Sequence, residues 1–352
     1  MPITLDRSIC CDLHETIARE WHITNGTGAY ASGTVAGVLT RMEHGLLVAC
    51  PPENTIPHLF LAKIDEEVVF DQRTYYLGTN EYRDGTLNPS GFVHLETFRL
   101  EENCAIFTYR LGGIDGIMLE KRIWMQQGRD TTYIQYRVIR TTTADETGQR
   151  RSGFTGAISN STGRTIEFSE SAQQPITLTL LPFTAYRPHT QAQHGNNDWH
   201  FQVQQHNAEE SIDGNGSEHA VLLPAGVAGC TIRAWDTAHP YHLLAVSQLE
   251  SEATFIPTNV WYWNFLHRQA AAEGKPALDD LYLPGVIRAT LWPTEGSTLT
   301  IMVSTEELAT QTLRPGQLVH PYPCSIEEEQ EHLLADVTIP QRYFSASGVR
   351  SR

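Results

Sequence analysis

The 352-residue sequence has no long apolar run. No segment approaches the ~20 consecutive apolar residues of a membrane-spanning helix. Met1–Arg19 carries charge throughout and holds no apolar stretch of signal-peptide length. A membrane protein is therefore not expected, and the chain reads as cytoplasmic. Basic residues are also scarce: 25 Lys and Arg stand against 41 Asp and Glu, a formal net charge of -16. Nucleic acid and anionic membranes both require a positive face, so neither is an expected partner, whereas a neutral polysaccharide is indifferent to this charge. The six cysteines (Cys10, Cys11, Cys50, Cys104, Cys230, Cys324) lack CxxC spacing. That argues against a zinc ribbon or a redox dithiol and for reduced, partly buried thiols. HExxH, G-x-S-x-G and P-loop motifs are missing. After Gly26 and Gly28, the place of the third glycine in a dinucleotide fingerprint is taken by Ala31.

What is present is mostly strand pattern. At 40% hydrophobic and 19% charged, the chain has ordinary globular composition and length for one large core or two joined ones. Runs rich in β-branched and aromatic residues fall at Gly45–Ala49, His58–Ile64, Phe92–Leu100, Cys104–Leu111, Ile117–Met125 and Thr131–Arg140. They return at Ile176–Tyr186, Trp199–Gln204, Ala220–Leu223, Cys230–Trp235, His242–Ser247, Val286–Trp292 and Thr298–Val303. Short turns between successive runs imply antiparallel pairing, and so many strands imply a sandwich. The expected class is all-β with few helices.

One helix is expected from Thr258 or Asn259 as cap, through Trp261, Phe265, Leu266 and Ala270–Ala272, to a stop at Gly274. A weaker one is expected over Ile326–Leu334. The polar stretch 141–174 reads as an insertion, and 206–218 as a second polar loop. The acidic clusters Asp65–Glu67, Glu101–Glu102, Glu209–Glu210, Asp279–Asp280 and Glu327–Glu329 are mostly expected as solvated charge in turns or at helix starts. Asp279 and Asp280 are expected to cap a helix end and turn. Trp124, Trp235 and Trp292 are expected in the core. Of fifteen histidines, His189, His194 and His200 (with Asp198) and His239 and His242 cluster without zinc spacing, which favours surface or loop roles.

The segment 19–50, REWHITNGTGAYASGTVAGVLTRMEHGLLVAC, holds Gly26, Gly28, Gly33 and Gly37 ahead of an apolar strand. It presents Trp21, Asn25, Tyr30, Arg41 and His44, aromatic faces beside planar donors that suit a sugar. Its plainer use is a glycine-rich turn before a core strand. This stretch resembles the opening of the amino-terminal domain of bacterial and archaeal-type glycogen debranching enzymes (amylo-α-1,6-glucosidase-like), NG.GGYA.GT..G..TR..HGLL.A. Ala29 replaces the usual second glycine. The resemblance continues through GIMLEKRIWMQQGRDTTYIQYRV (116–138), LLPFTAYRPH (180–189) and WNFLHRQAAAEGKPALDDLYLPG (263–285).

That resemblance implies a large antiparallel two-sheet supersandwich of the mutarotase-like kind, placed before an (α/α)6 barrel that carries the catalytic acid and base. It implies a lead-in over 1–18, the sandwich over 19–320 and the start of a linker over 321–352. Catalytic residues are then expected in none of this chain, and no cofactor or metal is expected. Trp21, Asn25, Tyr30, Arg41, His44, Trp263 and Asp280 are the candidates for substrate contact. The implied partners are an α-glucan (glycogen or limit dextrin) and a helical catalytic domain in cis or in trans. Exposed apolar surface near Trp261–Phe265 is expected, with self-association to a homo-oligomer to cover it. Two rivals remain: a free-standing glucan-binding module, and a mutarotase-like sugar epimerase with a Glu base opposite a His acid.

Overall fold

The computed structural model describes residues 2–112, 116–139, 174–206, 226–248, 252–293 and 297–308, with backbone alone at 142–144 and 150–152. The chain divides into Met1–Val319 and His320–Arg352. The second unit, with the expected helix at Ile326–Leu334, lies outside the described residues, as do Ala220–Leu223 and most of 141–174.

Two antiparallel sheets build the first unit. One has nine strands in the order β1 (Ile3–Leu5), β9 (Leu95–Glu101), β10 (Cys104–Leu111), β11 (Ile117–Met125), β12 (Thr131–Ile139), β21 (Thr298–Ser304), β18 (Tyr241–Gln248), β17 (Val227–Arg233) and β16 (Gln202–His206). The other runs β19 (Ala253–Leu266), β20 (Leu278–Leu291), β15 (Ile176–Pro188), β5 (His58–Phe70), β4 (Gly45–Ala49), β3 (Tyr30–Thr34) and β2 (Glu20–Thr24), with β6 (Arg73–Tyr76) hairpinned onto β5. Two small ribbons, β7 with β8 (Thr79–Glu81 and Leu87–Ser90) and β13 with β14 (Thr142–Ala144 and Arg150–Ser152), stand apart from the sheets. The helices are short: α1 (Arg7–Cys10), α2 (Leu13–Ile17), α3 (Arg268–Ala272) and a 3-10 turn at Gly91–His94. The lead-in joins the fold through β1, which pairs with β9.

The core lies between the sheets. Phe60 of β5 meets Tyr241 of β18 edge-on at 5.3 Å, and Trp21 of β2 meets Phe107 of β10 at 6.0 Å. Each such ring stabilises by roughly 1.5–3 kcal/mol through the apolar area it removes from water. A polar bridge crosses the same core: Lys121 of β11 lies 2.5 Å from Glu66 of β5, which also accepts from the Tyr136 hydroxyl at 2.9 Å.

The expected helix beginning near Thr258 is not formed. Ala253–Leu266 is an edge strand of fourteen residues, and only Arg268–Ala272 is helical. Its pairing with β20 slips between Pro257 and Val260 and again between Tyr262 and Phe265. Asn259 and Asn264 sit at φ of 54° and 62° within those slips. Two bulges turn a period of two into a spacing near four, which imitates a helical stripe. Phe92–His94 is likewise a 3-10 turn rather than the start of the next strand. Asp65–Glu67 and Asp279–Asp280 lie inside β5 and β20, not in turns or at helix ends. Trp124 is buried as expected, but Trp235 is 45% exposed and Trp292 only half-buried.

Candidate functional site

Three of the four segments that carry the family resemblance meet on the outer face of the second sheet. The loop after β3 folds over that face and places Leu39 in one buried cluster with Leu59, Ala62, Phe183, Phe265 and Leu281. Asp279 of β20 is fully buried beside it. Arg187, at the end of β15, donates through Nε and Nη2 to Asp279 Oδ2 at 3.1 and 2.8 Å. The same Nη2 donates to the Met42 carbonyl at 3.1 Å. Asp279 Oδ1 accepts from the Gln193 backbone at 2.7 Å. His267 places Nδ1 2.9 Å from the Arg41 carbonyl and Nε2 3.4 Å from Asp279 Oδ2. Burial alone would raise the Asp279 carboxyl, but Arg187 and then His267 outweigh it and hold it below the usual carboxylate range. Such a group is an ionised pin for three strand-distant segments.

His189, in the loop that follows Arg187, meets a side chain of β3. Tyr30 puts its hydroxyl 2.8 Å from His189 Nδ1 and 3.1 Å from the Glu43 carbonyl, and its ring stacks on His22 at 5.2 Å. Arg41, partly exposed, donates to Glu20 at 2.8 Å and reaches Glu273 at 3.5 Å. His44 is buried; its Nδ1 accepts from the Thr40 backbone at 3.1 Å, which leaves Nε2 as the protonated nitrogen facing Glu20 at 3.5 Å. Burial tends to raise Glu20, yet hydrogen bonds from His44 and Arg41 bring it down to about 2. Asp280 is buried and accepts from the Asn264 and Gly195 backbones at 2.8 and 3.1 Å. Trp263 is 40% exposed and leans on Trp261, whose ring packs against the Gly195 backbone.

Four of the sequence candidates for substrate contact are buried and bonded within the protein. Trp21 is a core ring. Asn25 is fully buried and clamps its own turn: its side chain accepts from Thr27 and Ala29 and donates to Asp130 at 2.8 Å. Gly26, at φ 79°, completes that turn. His44 and Asp280 have their polar atoms taken by the protein. Tyr30, Arg41 and Trp263 keep surface a ligand can reach.

Every buried carboxylate among the described residues is already committed. Asp65 lies 2.8 Å from Lys63, Glu66 2.5 Å from Lys121, and Glu81 2.6 Å from Arg268. Glu120 meets Arg122, Arg137 and Arg99. Sequence reasoning missed Asp130, the carboxyl pushed upward, by burial and then by the charge of Glu306. Glu306 accepts from the Asp130 backbone at 3.2 Å, so the two lie side by side rather than across a gap. His239, hydrogen-bonded to Thr305, links them to Glu53, Tyr186 and the exposed Trp235. Among the described residues no three His, Cys, Asp or Glu side chains group as metal ligands, and no helix is long and apolar enough to cross a membrane.

The fold and this site define a class: a large antiparallel two-sheet β-sandwich whose buried charges hold its own loops. The chain belongs to the glycogen debranching enzyme N-terminal family, which matches residues 19–149 and 156–298. Among solved structures it is similar to a bacterial glucoamylase complexed with acarbose (9% identity over 82% of this chain and 30% of that one, TM-score 0.30). It is also similar to a putative aldose 1-epimerase from Escherichia coli K12 (10% identity over 81% and 98%, TM-score 0.32). No curated protein matches.

Proposed function

We propose that this chain is the non-catalytic amino-terminal sandwich of a debranching-type α-1,6-glucosidase acting on glycogen or limit dextrin in the cytoplasm. It braces a helical (α/α)6 catalytic domain, in cis or in trans, and lends Tyr30 and Arg41 to the glucan cleft. The observation that carries this reading is the commitment of the buried carboxylates to neighbouring donors, five of them to cations. Glycoside hydrolysis needs one protonated and one ionised carboxyl facing each other across the bond. Asp65, Glu66, Glu81, Glu120 and Asp279 each hold an ion pair instead. Family membership supports the substrate class.

Edge strand β19 supports the docking role. It exposes Ile256, Val260 and Trp263, an apolar row of the kind that a partner or a second copy covers. Sedimentation of the chain mixed with the helical domain of a family member is expected to give a complex. Trp263→Asp is expected to weaken it by at least about tenfold, as for a buried aromatic anchor. Independent sedimentation of the two at every concentration would contradict the bracing role.

A free-standing glucan-binding module is the second reading. Trp235 favours it, an exposed ring set edge-on against Tyr186 at 4.9 Å with Glu53 and His239 beside it. Affinity electrophoresis of the chain alone in a glycogen gel separates the two readings.

A further inference from the structure

We propose that a groove walled by α1, β6 and the Gly91–His94 turn binds a phosphate monoester dianion of monosaccharide size. The groove is open, offers about 330 Å³ and is lined by Arg7, Arg73 and Arg110 together with Tyr75 and His94. In a chain of net charge -16, this is a concentration of the opposite sign. Arg110 binds Glu96 through two nitrogens at 3.0 and 2.9 Å, and Arg7 reaches the same carboxylate at 3.1 Å. One carboxylate thus answers two of the three guanidinium groups.

Arg73 has no protein partner among the described residues. Its backbone is fixed by a tight hairpin in which Asp71 and Gln72 both take left-handed φ, 48° and 59°. Tyr75 holds the His94 ring edge-on at 5.5 Å. Burial, and then Arg7, lower the His94 ring below its ordinary range, so near neutrality it is an uncharged donor and acceptor at the groove wall.

Planar guanidinium forks match phosphate oxygens in pairs, and such charge-assisted bonds are about twice as strong as neutral ones. Small-molecule pockets begin near about 300 Å³. Inorganic phosphate alone would leave most of this groove unfilled, whereas an ester with a sugar-sized body fills it and reaches Tyr75.

Calorimetric titration of the whole chain tests this with three probes: glucose 6-phosphate, inorganic phosphate and glucose. Glucose 6-phosphate is expected to bind tightest, phosphate more weakly and glucose not at all. Arg73→Ala is expected to weaken glucose 6-phosphate by about tenfold or more, and Arg73→Glu to remove binding. Lys275→Ala, a cation elsewhere on the surface, is expected to change nothing. Arg73 is exposed and has no hydrogen bond or ion pair from its side chain among the described residues, so circular dichroism of both variants should match the parent. Unchanged affinity in folded Arg73→Ala, or equal binding of glucose, would overturn the site. Pelleting with phosphatidic acid vesicles without heat from either soluble phosphate would overturn the small-ligand assignment.

Discussion

Asp279→Asn is expected to destabilise the domain by about 3–5 kcal/mol, the usual result of leaving one member of a buried ion pair alone. The replacement keeps the shape and removes only the charge. Arg187 is 3% exposed and would keep its guanidinium in the interior without a counter-ion. His267 would lose its carboxylate, and the Gln193 backbone would lose a charged acceptor. The loops at 41–44 and 189–193 should then loosen together, because Arg187 also holds the Met42 carbonyl. Asp280→Asn next door removes no ion pair with arginine or lysine and should cost only about 1–2 kcal/mol, the loss of strength in two backbone hydrogen bonds. Denaturant midpoints of the two variants check this. Similar small losses, each under about 1 kcal/mol, would contradict the pin.

The second large effect is acid sensitivity that sets in before the carboxylates titrate. His242 is lowered to about 4, first by burial and then by His206, His239 and Arg233. It shares the Thr231 hydroxyl with His206, itself lowered by burial. Burial lowers His22, His44 and His189 as well. A histidine that stays neutral in the folded chain takes up its proton only on unfolding. Its stabilisation is therefore present above about pH 6.5 and is lost as pH falls toward the folded value. For His242 alone, the span from 6.5 to about 4 amounts to roughly 3 kcal/mol. Asp279, whose folded value lies below 3.8, contributes to acid loss only in a lower window. The denaturant midpoint should fall between about pH 6.5 and about pH 4, and His242→Gln should flatten that slope. A midpoint constant across this range would contradict the burial of these rings as neutral groups.

How much of this was legible in the sequence depended on how local the signal was. Gly45–Ala49 is a strand with the bounds its apolar run suggests, because five buried residues in a row can hardly be anything else. Cys104–Leu111 and Ile117–Met125 form an unbroken antiparallel pair for the same reason. The β19 strand was masked by its own bulges, since Asn259 and Asn264 insert residues that period-based reading counts as helical spacing. Asp279 was misjudged as a turn residue because its partner Arg187 lies 92 positions away, and no local pattern records that pairing. Trp21 and Tyr30 come from one short segment, yet one faces the inter-sheet core and the other the outer face. The glycine turn sets the unbroken β2–β3 register, and strand alternation then decides which; neither is visible in composition.

On the proposed reading, these sheets hold and present, while bond breaking belongs to another folded unit. Glucose release from limit dextrin by residues 1–352 alone tests it most directly. No release above buffer is expected, and release is expected once a helical catalytic domain is added. Hydrolysis by the isolated chain that survives repurification, and that falls in Asp130→Asn or Glu306→Gln, would contradict it.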